Sequence, residues 1–100
     1  MFAQVIRFTL KPDAWDRLRE LDERWQREQA PIAPGFKGSY ILREQDSPNG
    51  CIMVVLFENR ELAQQNSERP ETNQWYRWLL EMTEGEPEFI GTEVFRSSLI

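Results

Sequence analysis

The sequence predicts an α+β domain of the split βαβ type, a four-stranded antiparallel sheet with helices packed on one face, in the order β-α-β-β-α-β. Three observations predict it. Stretches that alternate every two residues and stretches with helical periodicity take turns along the 100 residues. The second and third strand candidates are joined by Asp46-Ser47-Pro48-Asn49-Gly50, a turn with no room for a helix. The third candidate, Cys51 to Phe57 (CIMVVLF), is apolar on both alternating faces, as suits a central strand whose helix-free side is also covered.

The first strand is expected from Phe2 to Leu10, with Phe2, Ile6 and Phe8 on one face and Ala3, Val5, Arg7 and Thr9 on the other. Lys11-Pro12-Asp13 should open the first helix, because Pro12 suits a first helical position and Asp13 and Asp16 complement the positive end of the dipole. Trp15, Leu18, Leu21 and Trp25 form its apolar stripe. Its remaining positions are nearly all charged, with Asp13 and Arg17, Glu20 and Arg24, and Glu23 and Arg27 spaced four apart, and read as a solvated surface.

Two prolines and a glycine in Ala30-Pro31-Ile32-Ala33-Pro34-Gly35 end that helix, and a second strand should run from Phe36 to about Glu44. After the hairpin and the third strand, Glu58 and Asn59 offer capping oxygens for a helix opening at Arg60 or Glu61. Pro70 breaks it near Ser67 to Arg69 and starts a second segment, in which Trp75, Trp78, Leu79 and Met82 form the clearest stripe in the chain. Gly85 and Pro87 are expected to end this segment, leaving Glu88 to about Ser98 as the fourth strand. This is a ferredoxin-like pattern, with the first and third strands central and two helical crossovers on one face. Two such sheets packed through their helix-free faces make an eight-stranded dimeric α/β barrel.

Residues 1–100 read as a single domain. Its 17 acidic and 12 basic residues give a net charge of -5, which opposes phosphate neutralisation and argues against nucleic acid or anionic membrane as partner. The chain has no histidine, which removes the commonest general base and metal ligand, and its single Cys51 excludes an internal disulfide or a cysteine-built zinc site. Without a leader-like N-terminus or a long apolar run, the expectation is a soluble, unprocessed, cytoplasmic protein.

Pro34-Gly35-Phe36-Lys37-Gly38, the Asp46 to Asn49 hairpin, and Phe57-Glu58-Asn59 followed by Arg60 to Pro70 resemble the antibiotic biosynthesis monooxygenase-like family of the dimeric α/β-barrel superfamily. The resemblance covers nearly the whole chain. It implies a homodimer with a pocket in each protomer between helices and sheet. It also implies oxygenation of a phenolic or quinol-like substrate by O2 with neither metal nor flavin as cofactor. The protein's part in such chemistry is to bind an electron-rich ring, exclude water and stabilise the deprotonated substrate. The family's strand-three Asn and Trp stand here as Met53 and Phe57, its helical Tyr as Ala63, and the position that often holds His as Asn66. The strand-one Asn of haem-degrading relatives falls near Ile6.

Asn66 and Tyr76 are the catalytic candidates. The Asn66 carboxamide could orient a substrate hydroxyl or O2, although it also suits a helix-end cap, and the Tyr76 hydroxyl could donate to an anionic oxygen. Tyr40, Arg43, Met53, Phe57 and Trp75 are the substrate-binding candidates. Tyr40 and Arg43 offer donors to an enolate or carboxylate, and the other three offer apolar walls, each against the plainer reading of ordinary packing or solubility. Arg7 resembles Arg43 in placement, Glu58 and Glu93 are the strand-borne acids considered as a base, and Cys51 reads as a small buried hydrophobe. The alternatives to an oxygenase are a non-catalytic homodimer binding a small hydrophobic metabolite and a regulatory module.

Overall fold

A computed structural model describes residues 1–99. Four strands, β1 (Phe2–Leu10), β2 (Phe36–Arg43), β3 (Gly50–Phe57) and β4 (Thr83–Glu93), form one antiparallel sheet in the order β2-β3-β1-β4. The helices are α1 (Trp15–Glu28), α2 (Arg60–Ser67) and α3 (Pro70–Met82). The predicted ferredoxin-like topology is therefore present, with the second crossover split in two at Pro70. Pro70 takes the first position of α3, and Arg69 before it is extended, as a residue ahead of proline prefers.

β1 and β3 are central and pair from Phe2 opposite Phe57 to Thr9 opposite Gly50. This register puts Ile6 beside Met53 and Phe8 beside Cys51 on the helix-covered face. Leu10, Leu18, Leu79 and Cys51 are the largest wholly buried side chains and mark the core between that face and the helices. Ile52, Val54 and Leu56 point the other way and are only half buried. Tyr40 and Leu42 lie beside them on β2, opposite Val54 and Ile52, and are exposed. CIMVVLF thus does present apolar side chains to both faces.

Three local expectations are revised. α1 begins at Trp15, not at Pro12, because Asp13 takes a left-handed φ of 64°, which places Pro12-Asp13 in a turn closed by Ala14 N–H donating to the Lys11 carbonyl at 3.2 Å. The charge pairs on α1 are Asp16 with Arg19 and Arg24 with Glu28, rather than the three expected; Arg24 also lies 4.7 Å from the centre of the Trp78 ring. β4 begins at Thr83, directly after α3, and ends at Glu93 rather than Ser98.

That last shift has a physical reason. The Met82 carbonyl accepts from Lys11 N–H at 2.8 Å, so β1's end terminates α3 without a glycine cap. Between Arg7 opposite Glu88 and Thr9 opposite Glu84 the pairing slips, and Gly85, with φ 72°, lies in this bulge with Pro87. A bulge accepts proline's missing N–H, so residues that resemble a helix stop sit inside a strand.

The turn before β2 explains Gly35. Its φ of 71° suits glycine, and a Cβ there would lie 2.8 Å from Leu62 Cβ, so α2 packs against bare backbone. Asn59 caps α2 as expected, its Oδ1 accepting from Leu62 N–H at 2.9 Å.

Candidate functional site

A cavity of about 280 Å³ lies between the helices and the covered face of the sheet. That is near the lower end of ligand-pocket volumes, about 300–1,000 Å³. Its floor follows from strand alternation: Ile6 from β1 with Met53, Val55 and Phe57 from β3. Aromatic walls close around it. Trp25 meets Phe36 edge to face at 4.9 Å, Phe36 meets Phe57 at 6.0 Å, and Tyr76 tilts against Phe89 at 5.5 Å.

Polar side chains enter this apolar box from two sides. From α2 and α3 come Asn66, Ser67, Thr72 and Asn73. Asn66 is 7% exposed, and its Oδ1 accepts from Arg69 at 3.2 Å and from the Thr72 hydroxyl at 3.3 Å. Arginine has no acceptor, so the atom facing it is the amide oxygen. The Asn66 Nδ2 has no acceptor among the described residues and remains a donor available to the cavity that Asn66 lines. Arg69 is itself held by Oε1 of Gln29, the residue that caps the end of α1, and by Glu71 at 3.7 Å. The helix break is therefore what orients Asn66: Glu68 ends α2, and Arg69 reaches back from the residue before Pro70.

From α1 and β2 come Asp22, Gln26 and Ser39. Gln26 Nε2 donates to Asp22 Oδ1 at 3.4 Å and to Ser39 Oγ at 3.2 Å. Burial pushes the Asp22 carboxyl above its ordinary value, the Gln26 hydrogen bond pulls it back, and neighbouring Glu23 adds to the rise. Among the described residues Asp22 is the one carboxylate of the lining, and no lysine or arginine lines the cavity.

Of the residues singled out by sequence, Asn66, Tyr76, Met53, Phe57 and Trp75 converge on this cavity. Tyr40 and Arg43 do not. Tyr40 is 57% exposed on the helix-free face, where alternation along β2 places it, and Arg43 stacks 4.3 Å from the centre of the Trp15 ring at the hairpin end. Arg7 is likewise engaged elsewhere, in an ion pair with Glu44 at 3.0 Å. Cys51 is fully buried, and desolvation, reinforced by Glu44, pushes its thiol up to about 12, so it is inert. The Trp75 Nε1 is buried and lacks a hydrogen-bond partner among the described residues.

Two lining groups escaped the sequence reading although their spacing carries a signal. Gln4 falls between Phe2 and Ile6 on the inward side of β1. Asp22 is four residues after Leu18 and three before Trp25, so helical geometry sets it on the inward side of α1. It was masked by the many charges around it.

No family model and no curated protein matches the sequence. Solved structures do match its fold. A variant of SnoaB, a cofactor-independent oxygenase from Streptomyces nogalater, superposes with a TM-score of 0.82 at 17% identity, covering 96% of this chain and 94% of that one. A protein from Nitrosomonas europaea described as an antibiotic biosynthesis monooxygenase gives 0.77 at 18% identity, covering 96% and 100%. A conserved protein from Methanosarcina mazei Go1 gives 0.79 at 15% identity, covering 91% and 89%. The chain has the fold of these proteins.

Proposed function

We propose that this protein is a small-molecule monooxygenase of the antibiotic biosynthesis monooxygenase type, acting with O2 and without a cofactor on a phenolic or quinol-like substrate. The observation that carries the reading is the cavity: aromatic walls around a few polar side chains, in a fold shared with a cofactor-independent oxygenase. Such a box binds a flat ring of modest size, keeps water away, and leaves Asn66 Nδ2 and the Tyr76 hydroxyl to donate to an oxyanion. Triplet O2 needs an electron at the outset, and a deprotonated, electron-rich ring supplies it.

For an anthrone-like ring the reaction balances without a further reductant. The ring CH2 becomes a carbonyl, a four-electron oxidation, while O2 accepts four electrons, one oxygen entering the product and the other leaving as water. The working form is a homodimer in the cytoplasm, joined through the helix-free face where Ile52, Val54 and Leu56 are half exposed beside Tyr40 and Leu42. A partner there removes this apolar surface from water.

The test is oxygen consumption with a panel of quinols, phenols and anthrone-like rings in chelator-treated buffer. Enzyme-dependent uptake with one product carbonyl per O2 on the anthrone-like member supports the proposal. Absence of uptake across the panel refutes it. If the same compounds still quench tryptophan emission, the protein is instead a non-catalytic binder of hydrophobic metabolites, a reading favoured by Met53, Phe57 and Ala63 where antibiotic-pathway oxygenases carry polar or aromatic catalytic groups.

A further inference from the structure

Asp22 stands in a position that ordinary surface chemistry does not account for. It is half buried against an aromatic-walled cavity, forms no ion pair among the described residues, and has only Gln26 as a side-chain donor, through Oδ1. Among the described residues no side chain donates to its Oδ2. Gln26 spans Asp22 and Ser39, so α1 and β2 together hold the carboxyl group in place while one oxygen stays unengaged. A carboxylate kept for structure is normally paired or fully hydrated. This one has no ion pair among the described residues and is half withdrawn from water.

We infer that Asp22 is the general base of this cavity and its ligand selector: it accepts the proton of a ring hydroxyl from a neutral hydroxyarene, and its charge excludes aromatic carboxylates. The base role rests on the oxygenase reading above; the selection does not. In the step itself the ring O–H bond breaks, the proton goes to Oδ2, and the electron pair stays on the ring oxygen. The charge of the cavity is unchanged, since a carboxylate and a phenol become a carboxylic acid and a phenolate. Asn66 Nδ2, approaching from α2, is the donor available to the new anion.

The surroundings favour this transfer. Burial raises the proton affinity of the carboxyl group and so narrows its distance from a phenol hydroxyl. Glu23 on α1 acts in the same direction, β2 presents Ser39 and α3 presents Tyr76. β4 contributes Phe89, which carries no charge.

Two measurements on the full chain test the inference. Calorimetric titration with 1-naphthol and 1-naphthoate compares a neutral hydroxyl with a carboxylate on one ring system. The wild type should bind 1-naphthol at least about tenfold more tightly, and Asp22→Asn should bring the two within about threefold, since a like charge in a low-dielectric site is what separates them. Equal affinities in the wild type overturn the selection. On a hydroxyarene that supports oxygen uptake, Asp22→Asn should lower kcat about 100-fold or more and abolish the acidic limb of the pH profile, while Asp22→Glu restores part of the rate. A substrate already ionised at the assay pH should lose no kcat in Asp22→Asn and should bind that variant more tightly than the wild type, since the like charge is gone. Retention of kcat and of the acidic limb in Asp22→Asn refutes the base role while leaving the oxygenase reading intact. Failure of both proteins to consume oxygen refutes the base role together with that reading, and the naphthol comparison still decides the selection. Near-UV circular dichroism of each variant checks that it is folded.

Discussion

Replacing Trp75 by Phe should leave the protein as stable as the wild type or make it more so, the reverse of the usual result of shrinking an aromatic side chain. The indole Nε1 is buried without a hydrogen-bond partner among the described residues. An unsatisfied buried donor costs about 1–3 kcal/mol, and the substitution removes that cost. Against this stands the lost apolar contact. Phe and Trp lie toward opposite ends of the roughly 150–250 Å² that aromatic side chains bury, and Trp75 is only half buried, so about 50 Å² at about 25 cal/mol per Å² is lost, or about 1 kcal/mol. The balance runs from about zero to about 2 kcal/mol in favour of the variant. Urea unfolding followed by far-UV circular dichroism, at one protomer concentration for both proteins, measures it as a shift in midpoint at unchanged slope. Destabilisation by more than about 2 kcal/mol would refute the reasoning, because it would mean that the N–H has an acceptor in the folded protein.

Gly35→Ala should destabilise by about 1–2 kcal/mol from its left-handed φ and by about 1–3 kcal/mol more from crowding Leu62, read as a lower urea midpoint. Val54→Lys, at the middle of the helix-free face opposite Val5 and Tyr40, should turn a sedimenting dimer into a monomer with unchanged far-UV spectrum; a wild type that sediments as a monomer would refute the dimer. The folded Asp22 carboxyl binds its proton above the ordinary 3.8, so its contribution favours the fold below that pH and is lost as pH rises through the raised value. The melting temperature of Asp22→Asn relative to wild type should therefore be higher at pH 7 than at pH 3, and an equal difference at both would contradict the shift.

How much was legible in the sequence differs from element to element. The hairpin and the Asn59 cap were legible because turn and cap residues act on their own backbone a few positions away. The break at Pro70 was legible for the same reason. Gly85 and Pro87 misled, since a stop signal and a bulge use the same residues, and only the pairing of β4 with β1 distinguishes them. Pro12 misled likewise, because a turn at Asp13 accepts proline as readily as a helix start does.

The site divides along the same line. Trp75 belongs to a helical stripe, so its inward direction followed from spacing, whereas Met53, Phe57 and Asn66 were marked by the resemblance and Tyr76 by the chemistry of its hydroxyl. Tyr40 and Arg43 carried suitable chemistry, but which face of β2 meets the helices depends on its register against β3. Asp22 gained its meaning only when α1 was laid against β2, because the Gln26 bridge to Ser39 joins residues that local sequence does not relate.

By itself the sequence determined the order of elements, the breaks between them and the apolar character of both faces of β3, since periodicity and backbone chemistry act over a few residues. Tertiary structure alone decided that the space under the helices stays open as a cavity and that one carboxylate is drawn into its wall. Packing volume, burial and the electrostatics of a desolvated group arise only when distant segments meet.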